Sequence, residues 1–132
     1  MSKKKSTIDK YDPKIYPYPL YVSKNCTNKE LMKHFDLTEA ELVNDEDLDF
    51  AYTYWGVKHK PDMDWCCLVL LTSKSVKCKD KFENVDTCAH EALHYVLHLM
   101  ETIGNTKPWK SHEPYCYLQG WATKCIYNTL VK

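Results

Sequence analysis

The residues with the most chemistry in them form one short run, His90-Glu91-Ala92-Leu93-His94. The pattern is H-E-x-x-H, two histidines at i and i+4 with a glutamate directly after the first. On a helix that spacing puts both imidazoles on one face, near enough to grip a single zinc ion. Glu91 then stands where it can polarise a water on that ion and take its proton. With 6 His and 8 Glu in 132 residues, chance would supply only about 0.02 such runs.

Two histidines do not complete a catalytic zinc site, which takes a third protein ligand plus water. His98 continues the i, i+4 series but lies about 12 Å of helical rise from His90. Metal bonds of about 2 Å do not span that distance from one helix, so His98 reads as a supporting or packed histidine. His112 and Glu113 both fall where the chain turns into its last helix. Glu113 precedes Pro114 and is expected at the N-cap, its carboxylate held at the helix start and facing the first long helix.

The elements that must position these groups are legible in outline. Val85, Ala89, Leu93, Val96, Leu97, Met100 and Ile103 recur at spacings of three and four, which predicts an amphipathic helix of about five turns with the histidines off its apolar stripe. Asn84 is expected as its N-cap and Gly104 as its end. A last helix is expected over 114–130, with Pro114 at its first position and Leu118, Trp121, Ala122, Cys125 and Ile126 on its apolar face. Upstream, residues 65–72 read as a buried strand. Residues 50–57, with Phe50, Tyr52 and Tyr54 alternating, form its hairpin partner across a loop at 58–64. Thr27 and Glu30 make a capping box that predicts a short helix over 28–35, and Thr38 with Glu41 repeats it. The acidic stretch around Asp45, Glu46, Asp47 and Asp49 lacks the glycine of a calcium loop and reads as solvated. Residues 1–19, with Lys3, Lys4, Lys5, Lys10 and Lys14, read as an extended basic arm, a solvated tail leading into a strand near 20–22.

Composition bounds the class. A chain of 132 residues with 18 basic and 18 acidic side chains is one domain, 1–132, of α+β type, with no global field to draw nucleic acid. Its longest apolar run is seven residues, 65–71, too short to span a membrane. The basic N-terminus lacks the apolar core of a secretory signal. Seven cysteines, an odd number without a Cys-x-x-Cys pair, point to reduced thiols in a cytoplasmic setting rather than a disulfide framework.

The order H-E-x-x-H on one helix, then a glutamate at the start of the next, resembles the gluzincin branch of the zincin metallopeptidases. More closely, the chain looks like small zincin-like proteins of phages and prophages. The matching segments are residues 16–22, Ala51-Tyr52-Thr53-Tyr54, residues 89–94 and residues 113–121. The resemblance implies a minimal zincin-like domain, a small antiparallel or mixed sheet packed on the H-E-x-x-H helix and a C-terminal ligand helix. It also implies Zn2+ held by His90, His94 and Glu113, with Glu91 as general base cleaving a peptide or protein substrate in the host cytoplasm. One departure stands out. Gluzincins often carry an acidic residue four after the ligand glutamate, and here that position is Tyr117. Its hydroxyl is expected either to bond a ligand or stabilise an oxyanion, or simply to pack. The alternative function is a non-catalytic zincin-fold assembly protein, such as a virion or tail component, with a structural zinc and protein partners.

Overall fold

A computed structural model describes residues 5–42 and 50–132. The elements are β1 (Thr7–Tyr11), β2 (Leu20–Lys24), α1 (Asn28–His34), β3 (Ala51–His59), β4 (Asp64–Leu71), α2 (Ser73–Lys77), α3 (Lys81–Thr102) and α4 (His112–Leu130), with a 3-10 turn at Pro108–Lys110 before the last helix. The class is α+β. The sheet is mixed, in the order β1-β2-β4-β3, with β2 and β4 parallel and the two outer pairs antiparallel.

β4 is apolar and buried from Cys66 to Leu71 because both faces of the sheet are covered there. Cys67, Val69 and Leu71 point to α3 and α4, joining Leu20, Val22, Ala92, Tyr95, Val96, Leu99, Leu118, Ala122 and Ile126 in one core. The alternate residues Cys66, Leu68 and Leu70 point the other way, to Leu31, Phe35, Leu37 and Leu42 around α1. The adjacent cysteines therefore lie on opposite faces, and all seven thiols are free. The hairpin expected between 50–57 and 65–72 is present, with Tyr54 opposite Leu68 and Val57 opposite Cys66. The extra residue makes a bulge at Trp55-Gly56, and Gly56 takes the left-handed φ of 67° that a side chain would resist. The bulge shifts the strand's phase, so Thr53 and Trp55 face α3 whereas Tyr54 and Val57 face α1.

The long helix differs from the expectation at its start and on its face. Its N-cap is Asp80, whose carboxylate accepts from the amides of Phe82 and Glu83; Asn84 lies inside the helix and donates to the Cys78 carbonyl. Asp80 wins because an N-cap carboxylate satisfies orphan first-turn amides and opposes the helix dipole. The buried residues are Thr87, Cys88, Glu91, Ala92, Tyr95, Val96, Leu99 and Met100, while Val85, Leu93, Leu97 and Ile103 stay exposed. The packed stripe is thus rotated from the one that hydrophobicity alone suggests, because Tyr95 and Cys88 fill the core. Gly104, at φ 82°, ends the helix as expected, with Asn105 N–H donating to Met100 O and Gly104 N–H to Glu101 O. α4 begins two residues earlier than expected, with Ser111 as its N-cap, so Glu113 lies within the first turn and Pro114 at the third helical position.

The short α1 carries its capping box, and Thr38 and Glu41 repeat the same bonds around a single turn. The acidic residues 45–49 lie outside the described residues. Within the described residues, from Thr7 onward, the basic arm is not a solvated tail. β1 pairs with β2, and Thr129 Oγ1 and Lys132 Nζ both donate to Asp9 Oδ2, at 2.8 and 2.9 Å. The buried Lys24 ammonium donates to the carbonyls of Leu130 and Lys132 at 2.9 and 2.5 Å, fastening the end of α4 to the sheet. Among the described residues no helix is long and apolar enough to cross a membrane.

Candidate metal centre

The geometry of α3 does what the spacing requires. One helical turn separates His90 from His94, and their Nε2 atoms stand 3.3 Å apart. Two nitrogens about 2.05 Å from one ion at a tetrahedral angle are about 3.3 Å apart, so the spacing is one that a single metal ion could bridge. One carboxylate oxygen of Glu91 lies within 4.8 Å of both imidazole donors. His90 is exposed, His94 half-buried, and Glu91 is only 6% exposed. The His90 side opens on a cavity of about 350 Å³ whose walls include Phe50, Ala51, Glu83 and Asp86.

The partners of this group come from β3, the terminal strand of the sheet. Thr53 Oγ1 donates to Glu91 Oε2 with both groups buried. Two residues along the same face, the Trp55 ring stacks on His94 at 5.7 Å. Trp55 also meets His98, which Tyr18 flanks from the other side at 5.3 Å. Burial pushes the His98 pKa below its ordinary value, with Glu101 opposing the shift. His98 is thus a packed histidine, as its distance along the helix implies. Thr53 and Trp55 are the functional neighbours that sequence reasoning missed. The available signal was the alternation itself, which leaves Thr53 and Trp55 on the face opposite Tyr52 and Tyr54.

Glu113 and Tyr117 are placed elsewhere. α3 meets α4 through Ala89, whose carbonyl accepts from Gln119 Nε2 at 3.0 Å, whereas its Glu91–His94 flank meets β3. On α4, Glu113, Tyr117 and Trp121 recur every four residues, with Trp121 meeting Tyr95 of α3 at 6.1 Å. They line a cavity shared with residues 12–16 of the arm. Among the described residues the group that gathers within metal-ligand reach is His90, Glu91 and His94, and Glu113 is not among them. His112 is the first residue of α4 and is exposed. No family model matches the chain, and no curated protein or solved structure is significantly similar to it.

Proposed function

We propose that this chain is a zinc-dependent hydrolase of peptide bonds, with His90 and His94 as two of the three protein ligands such an ion takes and Glu91 as general base. The observation that carries the reading is the 3.3 Å separation of the two Nε2 atoms beside a buried carboxylate. A zinc ion in that position supplies a water of lowered pKa and a Lewis acid for the scissile carbonyl. The chain's own part is to aim one base. Thr53 holds Oε2 of Glu91, which leaves Oε1 free to take the proton from water and return it to the leaving amine. Trp55 covers one face of His94 and limits its ring rotation.

A peptide is the substrate that the surroundings favour. β3 ends the sheet order; its far end is covered by Asp36 N–H donating to Lys58 O and Lys60 N–H to His34 O, and Gly56 N–H donates to the Tyr18 hydroxyl. Residues 51–57 of this outer strand run beside Glu91 and His94, where an extended chain would lie along the sheet edge. The alternative, an assembly protein with a purely bracing zinc, gains less from this arrangement. Both imidazoles belong to α3, so an ion held by them ties no two elements together.

Metal content and thermal unfolding test the site. Purified protein is expected to hold one equivalent of zinc, and saturating zinc at a hundredfold over Kd to add about 2.7 kcal/mol of stability. His90→Ala should lose both effects; protein that holds under half an equivalent rejects the site. Cleavage of a mixed peptide library, abolished by chelator, tests the reaction.

A further inference from the structure

The cavity that Glu113 and Tyr117 share with the arm, about 700 Å³, is twice the size of the one beside His90. We propose that it is a docking groove for a lysine or arginine side chain of a protein partner. On its α4 wall, Glu113, Tyr117 and Trp121 stand one helical turn apart, a carboxylate followed by two aromatic rings. Across from them are Asp12, Ile15 and Tyr16. Two carboxylates and three aromatic side chains in one lining suit an organic cation, which ring quadrupoles and charges both attract. The rings and Ile15 suit the apolar stem beneath such a head. Lys14 is the one cation of the lining, against Asp12 and Glu113. Its backbone, at φ 61°, is tied to Asp12, whose Oδ1 accepts the Lys14 N–H at 2.8 Å.

The occupant is a side chain on a larger partner because the walls are shallow. Ile15 is 81% and Tyr117 76% exposed, whereas a free small ligand needs most of its own surface covered. The groove shares no lining residue with the His90 cavity, so this site stands independently of the hydrolase reading.

The test titrates three capped pentapeptides, alanine with a central lysine, norleucine or glutamate, while following the Trp121 indole N–H by NMR. The lysine peptide is expected to bind saturably, the norleucine and glutamate peptides at least tenfold more weakly. Glu113→Gln and Asp12→Asn should each weaken the lysine peptide three- to tenfold at low salt. Both positions are exposed, and unchanged thermal unfolding controls for the fold. Zinc content measured on the same Glu113→Gln sample should stay at the wild-type value. The proposal is overturned by absence of saturable binding or by norleucine or glutamate binding as tightly as lysine. It is equally overturned by n-butylammonium alone matching the peptide, or by loss of zinc on Glu113→Gln. A wild type without zinc would remove the hydrolase reading and leave the peptide comparison intact.

Discussion

Glu91 carries the largest consequence at the scale of single residues. Its carboxylate is buried, and Thr53 donates to it. Glu91→Gln keeps the imidazoles and the shape, so zinc content should stay at the wild-type level while turnover falls roughly 10²–10⁴-fold. Wild-type cleavage by that variant rules out Glu91 as the base. Thr53→Val removes the donor without changing the side chain's shape and leaves a buried carboxylate oxygen without its partner. The expected loss is about 1–3 kcal/mol in denaturant unfolding, with Thr53→Ser restoring most of it. The loss should shrink when Glu91 is already Gln, because the two side chains are coupled. Equal losses in both backgrounds mean that Thr53 acts through packing alone. H-E-x-x-H is readable without a structure because i, i+4 is a property of any helix. The hydroxyl donor to Glu91 comes from 38 residues upstream in the chain, and no local pattern pairs the two.

At the scale of elements, α3 is positioned by its ends and by β3. Asp80 makes the N-cap that Asn84 was expected to make. Asp80→Ala should therefore cost about 1 kcal/mol in chemical denaturation, and Asn84→Asp should not recover it. The start was misread because several residues before the stripe are polar and cap-competent, and Phe82 is 88% exposed although its type suggests a core position. The opposite end was legible in Gly104, since few residues other than glycine accept the φ of 82° that closes a helix in this way. The β3–β4 hairpin was equally legible. The bulge at Trp55-Gly56 was not, and it sends Val57 to the α1 face.

For the whole molecule, two cores on either side of one sheet leave most thiols inaccessible. Cys66, Cys67 and Cys88 are fully buried, and burial pushes the thiols of Cys66 and Cys88 up to about 12 and that of Cys125 to about 11. In the unfolded chain these groups ionise near their ordinary value of 9.0, so the fold binds more protons than the unfolded state above that pH. Stability contributed by the protonated thiols is complete below about pH 8.5 and is lost as pH rises towards 12. A thermal midpoint that falls between pH 8 and pH 10.5 checks this; a flat profile contradicts it. A thiol reagent at pH 7.5 should label Cys116, which is exposed, and reach Cys66, Cys67 and Cys88 only with denaturant.

By itself the sequence determined the helix that carries His90 and His94, the ladder those side chains form, the hairpin of β3 with β4 and the caps around Thr27 and Gly104. Each rests on repeats within a few residues, which backbone geometry converts directly into structure. Tertiary structure alone decided that residues 7–11 pair as an edge strand, that Thr53 and Trp55 meet Glu91 and His94, and that Glu113 and Tyr117 line a cavity with the arm. The physical reason lies in the rotation of each helix about its own axis. The 3.6-residue period states which residues share a side, but only packing against the sheet and the neighbouring helix selects the side that turns inward. On α3 that choice sends Glu91 and His94 to β3, and on α4 it sends Glu113 and Tyr117 to the cavity shared with residues 12–16.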